Sequence, residues 1–117
     1  MNRIGNDEAG FSVAFDATAS TVSVRGWGFW GADVANAFDS TVQKVCLTSP
    51  KGASLVIDMS QLKPMREEGQ RAFSRLMAAL RGLGIVSTIV MTTSQLTKMQ
   101  LLRLSAEAGT LSSVKFT

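Results

Sequence analysis

The sequence predicts an α/β domain built on a mixed β-sheet. Two short runs near the start alternate apolar and polar residues with a period of two, which is typical of half-buried strands. Further along, three longer segments repeat apolar residues at helical spacing, and apolar β-branched runs separate these segments. These observations predict the order β-β-α-β-α-β-α-β, with an N-terminal antiparallel hairpin followed by mostly parallel strands.

The hairpin is predicted from residues 11–15 and 22–25, which flank a short connection at residues 17–20. Glycines then interrupt the alternation before the first helix begins. We expect residues 1–10 to be a flexible or loosely attached N-terminus of a single domain that spans residues 1–117.

Three helix-strand units are predicted after the hairpin. Leu55, Val56 and Ile57 form an almost uninterrupted apolar run, which predicts a central strand covered on both faces. The predicted helices are residues 32–47, 66–83 and 95–108, and the predicted strands are residues 53–59, 85–92 and 112–116.

The third helix carries an unusually wide apolar stripe. We expect its core-facing residues to be Leu96, Met99, Leu102 and Ala106. Leu101 and Leu104 extend the apolar surface sideways, which indicates either a deeply seated helix or a second contact surface.

Composition favours a globular protein of the cytoplasm. The chain has 117 residues, of which 45% are hydrophobic and 18% charged, and no apolar run is long enough for a membrane span. Residues 1–10 lack the apolar core of a secretory signal. Cys46 is the only cysteine, so no intramolecular disulfide forms, and we interpret it as a small buried residue, with a reactive thiol as the alternative.

Charge is unevenly distributed along the chain. The first 60 residues carry four basic and six acidic side chains, a net −2, whereas residues 61–117 carry eight basic and three acidic ones, a net +5. Weak binding of anionic surfaces or nucleic acid through the second half is therefore one hypothesis. It ranks last because the cations form no run and no nucleic-acid-binding motif is present.

Catalytic groups are scarce. The chain contains no histidine and no tyrosine, which excludes a Ser-His or Cys-His nucleophile and removes the commonest general base. Carboxylates remain, at Asp58 after the central strand and at Glu67 and Glu68 near the start of the second helix. Asp58 lies where α/β sheets form binding sites, or it accepts backbone hydrogen bonds from the following loop. We expect no enzyme activity, no cofactor and no metal ion.

Two tryptophans crowd the loop between the hairpin and the first helix. Trp27 and Trp30 either cap the hydrophobic core at one end of the sheet or anchor a partner, since Trp is enriched among residues that dominate binding energy. The surrounding glycines match neither a dinucleotide-binding fingerprint nor a phosphate loop.

The element order, the strand ending at Asp58, the loop to Gly69 and the second helix together resemble the STAS domain, specifically its SpoIIAA-like branch of anti-sigma-factor antagonists. The resemblance covers roughly residues 11–117. It implies a bacterial, cytoplasmic signalling module that binds a partner near the start of the second helix. In signalling members a serine there is phosphorylated, and the phosphate turns binding off.

The matching stretch here departs from the family pattern. Where the family has an Asp-Ser-Ser-Gly-like segment, this chain has Arg66, Glu67, Glu68 and Gly69, so the switch serine is missing. We therefore expect a regulatory or protein-interaction module without that phosphorylation switch. The alternative is a domain of the same fold that binds a small molecule or lipid.

The partner is expected to be another protein or a second copy of this chain. A small apolar ligand is the alternative, and nucleic acid is disfavoured. The expected contact residues share either an aromatic side chain or a place near the start of the second helix: Trp27, Trp30, Asp58, Met65, Arg66, Glu67, Glu68 and Arg71.

Overall fold

The two segments of alternating apolar and polar residues near the start of the chain form the predicted hairpin. Each later strand lies beside the preceding one in the same sheet. The computed structural model describes residues 2–110 and 113–117. Within these ranges six strands form one sheet in sequential order. The strands are β1 (Asn2–Gly5), β2 (Gly10–Asp16), β3 (Thr21–Gly28), β4 (Ser54–Leu62), β5 (Ser87–Met91) and β6 (Val114–Phe116); the helices are α1 (Ala32–Thr48), α2 (Glu67–Ala79) and α3 (Gln95–Glu107).

The sheet has an antiparallel and a parallel part. β1, β2 and β3 pair antiparallel, and β3, β4, β5 and β6 pair parallel. Each parallel connection contains one helix, as the sequence predicted. None of the described helices is long and apolar enough to cross a membrane.

The predicted order is incomplete because it lacks β1. This strand falls in residues 1–10, for which a loosely attached terminus was expected, and it pairs with β2 through Arg3 opposite Ser12 and Ile4 opposite Phe11. Glycine makes the close approach possible, because a Cβ on Gly10 would lie 2.3 Å from the Ile4 carbonyl oxygen. Four mostly polar residues give too weak a periodic signal to predict such a strand.

The prediction that the central strand is covered on both faces is wrong. Side chains of β4 alternate: Leu55, Ile57 and Met59 are buried, whereas Val56 and Asp58 are only half-buried. The buried set faces the helices and the half-buried set faces away from them. We call this second side of the sheet the open face.

An aromatic cluster fills the core between the hairpin and α1. The ring of Trp30 lies 4.8 Å from that of Phe38 and 6.1 Å from that of Phe11, measured between centroids. Trp30 also donates a hydrogen bond from its indole nitrogen to the Gly10 carbonyl oxygen at 2.9 Å, so its one polar group is satisfied inside the core.

Helix boundaries agree with the sequence for α1 and less well for α2. The second helix was expected over residues 66–83 but ends at Ala79, and turns lead through Gly84, whose φ of +81° favours glycine. The last strand contains Val114–Phe116, and its expected start at Ser112 lies outside the described residues.

The predicted core face of α3 is wrong. The buried residues of this helix are Thr97, Leu101, Leu104 and Ser105. Leu96 and Met99, expected in the core, are 57% and 63% exposed. The inward face includes two hydroxyl side chains, so the spacing of apolar residues alone does not identify it.

A pair of truncations on α3 tests this orientation. Leu101→Ala should lower the free energy of unfolding by about 2–5 kcal/mol because it opens a cavity in the core. Met99→Ala should change it by no more than about 0.5 kcal/mol because that side chain is exposed. Urea unfolding followed by circular dichroism measures both, and a larger loss for Met99→Ala would contradict the structure.

Candidate functional site

The predicted contact residues do not form one site. They separate into the core, the open face of the sheet, and the edge where the parallel strands end. Trp30 and Met65 lie in the core, Trp27 and Asp58 on the open face, and Arg66, Glu67, Glu68 and Arg71 at or near the start of α2.

Trp30 and Met65 are inaccessible, which corrects their assignment as contact residues. Trp30 is 4% exposed and Met65 is 6% exposed. For Trp30 the alternative interpretation, a cap on the hydrophobic core, describes its position. Met65 is buried beneath the start of α2, where Gly69 packs against it; a Cβ on Gly69 would lie 3.1 Å from the Met65 Cβ.

The carboxyl ends of β3, β4 and β5 lie at one edge of the sheet, where α/β proteins commonly bind their ligands. The Lys63 amide, just after β4, donates to the Gly28 carbonyl oxygen at the end of β3 at 3.0 Å. The chain then enters α2, and β5 leads into α3. We call this region the strand-end surface; it comprises Phe29, Lys63, Arg66, Glu67, Arg71, Leu96 and Met99.

Phe29 lies on the strand-end surface and is 43% exposed. The guanidinium carbon of Arg66 lies 4.6 Å from the ring centroid, a cation–π contact that restrains both side chains. Glu67 and Arg71 form an ion pair one helical turn apart. Glu67 and Glu68 also occupy the first turn of α2, where negative charge interacts favourably with the helix dipole.

Side-chain amides join the start of α2 to α3. Gln100 accepts from the Met65 amide at 2.9 Å and donates to the Met65 carbonyl oxygen at 3.1 Å. Gln70 donates to that same oxygen at 3.0 Å and accepts from Arg103 at 2.5 Å. These bonds position the first turns of α3 beside the start of α2.

Sequence reasoning missed the three apolar residues of the strand-end surface: Phe29, Leu96 and Met99. Leu96 and Met99 were assigned to the core, so their exposure could not be predicted once the wrong face of α3 was chosen. Phe29 lies in a glycine-rich segment between two tryptophans, and no feature of the sequence distinguishes its exposed side chain from the buried one of Trp30.

The open face contains a cavity of about 670 Å³. Asp58 lies within it rather than at the end of a strand, because β4 continues to Leu62. One oxygen of its carboxylate accepts from the Ser60 amide at 3.0 Å and from the Ser60 hydroxyl at 2.5 Å. The Ser60 hydroxyl bond is the main reason that the pKa of Asp58 lies below its usual value, and the charge of Arg25 contributes in the same direction.

Trp27 forms one wall of this cavity. Its indole nitrogen donates to the Asn6 carbonyl oxygen at 2.7 Å, and the guanidinium of Arg3 lies 5.1 Å from its ring centroid. Arg3 in turn forms an ion pair with Asp7 at 3.0 Å. The tryptophan therefore anchors β1 and the loop that follows it.

Chemical reactivity is limited in the described residues. Cys46 is 1% exposed, and burial raises the pKa of its thiol to about 11, so it stays protonated at neutral pH. In residues 2–110 and 113–117 no cluster of three or more histidine, cysteine or carboxylate side chains could hold a metal ion.

No protein-family model and no curated protein matches the sequence.

The lowered pKa of Asp58 predicts a specific pH dependence of stability. Its folded-state pKa lies below the ordinary value of 3.8, so the carboxylate stabilises the fold above that pH, and this contribution is lost as the pH falls through the folded value. Asp58→Asn should therefore be less stable than the wild type at about pH 6, and the difference should shrink towards about pH 2.

Urea unfolding at several pH values measures this difference. Ser60→Ala removes the hydroxyl donor and should reproduce part of the loss above pH 3.8. A constant gap between Asp58→Asn and the wild type over the whole range would contradict the assignment.

Proposed function

We propose that this chain is a non-catalytic protein-interaction module that binds a protein partner through the strand-end surface. The observation that carries the proposal is the exposure of Phe29, just after β3, and of Leu96 and Met99 in the first two turns of α3, which follows β5. Both segments follow strands that end at the carboxyl edge of the sheet. Large exposed apolar side chains that cluster mark interaction sites more often than single ones do.

The residue types of this surface suit a protein interface. Aromatic residues, methionine and arginine are enriched at such interfaces, and Phe29, Met99 and Arg66 supply one of each. Arg66 already lies over the ring of Phe29, so the pair offers a flat apolar surface bordered by a positive charge.

The surface is also held in place before any partner arrives. The amide bonds of Gln70 and Gln100 to Met65 connect α2 and α3. A surface that is already ordered loses less conformational entropy on binding, which favours affinity.

Charge on the surface favours a partner segment with acidic and apolar residues. Glu67 is paired with Arg71, whereas Lys63 and Arg66 form no ion pair with any of the described residues. Glu68 is the remaining carboxylate near them. The excess is therefore positive, and complementary charge on a partner would increase the association rate and select its orientation.

A STAS-like role in bacterial cytoplasmic signalling is the form of this function that we favour. Support comes from the hairpin followed by alternating helices and parallel strands, and from a candidate surface around the start of α2. Phosphorylation at the family position would have added charge and acceptor oxygens at this helix start. Glu67 and Glu68 instead provide fixed carboxylates, so partner binding here does not depend on a kinase.

Site-specific photocrosslinking tests the proposal. A benzoylphenylalanine at position 29 should capture the same protein partner as one at position 99. One at position 47, where Leu47 is 67% exposed on α1, should not capture it. Equal capture at position 47 would contradict the assignment of the surface.

Affinity measurements with the captured partner provide the quantitative test. Phe29→Ala and Met99→Ala should each weaken binding by about tenfold or more, as expected for residues at the centre of an interface. Leu47→Ala, a truncation of a residue more exposed than either, should leave the Kd unchanged. Unchanged affinity in Phe29→Ala and Met99→Ala would refute the proposal.

A further inference from the structure

We propose that the open face of the sheet binds a small zwitterion with an apolar side chain, of the class of free aromatic and aliphatic amino acids. The site is the 670 Å³ cavity, and it is separate from the strand-end surface. The inference does not rest on the proposed interaction function. The lining of the cavity includes Arg3, Arg25, Trp27, Val56, Asp58 and Met91.

Two opposite charges in this cavity are available to a ligand. Arg25 on β3 is paired in register with Asp58 on β4, so the two side chains project from adjacent strands on the same face. They form no ion pair with each other. Arg25 makes no side-chain hydrogen bond in residues 2–110 and 113–117, and Asp58 uses only its Oδ1 atom, on Ser60.

The other charged pair in the cavity is already satisfied. Arg3 is paired with Asp7 and stacks on Trp27. The charges without an ion-pair partner in this cavity are therefore the cation of Arg25 and the anion of Asp58, on adjacent strands about 4.8 Å apart. This arrangement complements a carboxylate and an ammonium group on a single carbon atom, whereas a simple anion would be repelled by Asp58 and a simple cation by Arg25.

Apolar side chains lie beside the two charges. Trp27, Val56 and Met91 line the same cavity, and the hydrogen bond of the indole to Asn6 fixes the Trp27 ring. A β-bulge in the pairing of β3 with β4 lies between the charged part of the cavity and Trp27, because Arg25 is opposite Asp58 while Trp27 is opposite Gln61. Bulges redirect side chains and are frequent beside binding sites. The ligand's side chain would pack against Trp27 while its charged groups face Arg25 and Asp58.

The size of the cavity suits a small ligand. The cavity falls within the range of about 300–1,000 Å³ that is usual for small-molecule sites. Parallel sheets are normally covered on both faces, so the exposed parallel part of this sheet has a face on which a ligand can be buried.

Binding of L-phenylalanine and two neutralised analogues, followed by NMR, tests the inference. N-acetyl-L-phenylalanine lacks the ammonium and L-phenylalaninamide lacks the carboxylate. Phenylalanine should shift the Trp27 indole N–H signal and the amides of β3 and β4, and each analogue should bind the wild type about tenfold more weakly because it lacks one charge-assisted hydrogen bond.

Variants assign each charge to its partner. In Asp58→Asn the N-acetyl analogue should lose no further affinity relative to phenylalanine, and in Arg25→Gln the same should hold for the amide. Arg81→Gln, an exposed cation outside this cavity, should bind phenylalanine as the wild type does.

Three results would overturn the inference: no shifts up to the solubility limit of phenylalanine, shifts located away from the cavity, or equal binding of all three ligands to the wild type. Because the analogues are compared on the unmodified protein, the test stands even if a variant fails to fold.

Discussion

Right-handed crossover connections determine the architecture of this chain. A strand-helix-strand connection between parallel strands is right-handed in nearly all proteins. Here β4, β5 and β6 each join the sheet beside the preceding strand, all in the same direction. Each connecting helix must therefore lie on the same side of the sheet. One face is packed against α1, α2 and α3, and the other remains open.

Both candidate surfaces follow from this constraint. Parallel strands that advance in one direction place their carboxyl ends at one edge, where Phe29 after β3, Arg66 before α2 and Met99 on α3 meet solvent. The uncovered face presents the alternate side chains of the same strands, Arg25 and Asp58 among them. The two tryptophans lie on opposite sides of the sheet: Trp30 is in the core, and Trp27 is on the open face, where its hydrogen bond to Asn6 anchors β1.

Much of the fold could be predicted because its signals are local. The hairpin, α1 and the alternation of helices with strands follow from periodicities of two and of 3.6 residues, and they are confirmed. β1 could not be predicted, since its pairing with β2 depends on neighbouring glycines, at which a side chain would collide with the facing backbone. The face of α3 could not be predicted either, because two apolar stripes overlap and the buried one includes Thr97 and Ser105.

The site was less accessible to sequence reasoning because it depends on which side chains share a surface. Arg66, Glu67 and Arg71 could be placed near the start of a helix from the sequence, and they lie there. Asp58 was predicted to lie at the end of a strand, but β4 continues to Leu62, so Asp58 lies within the strand and on the open face. Gln100, which ties α3 to Met65, has no sequence signature, since a glutamine on a helix is usually a solvated side chain.

Cysteine accessibility on adjacent residues of the same strands tests the one-sided packing most directly. Single cysteines at Val56 and Ile89 should react with iodoacetamide rapidly, because both positions lie on the open face. Cysteines at the neighbouring Ile57 and Val90, which are 0% exposed, should react as slowly as native Cys46, whose thiol pKa is about 11. Equal protection of Val56→Cys and Ile57→Cys would show that both faces of the sheet are covered and would contradict the account.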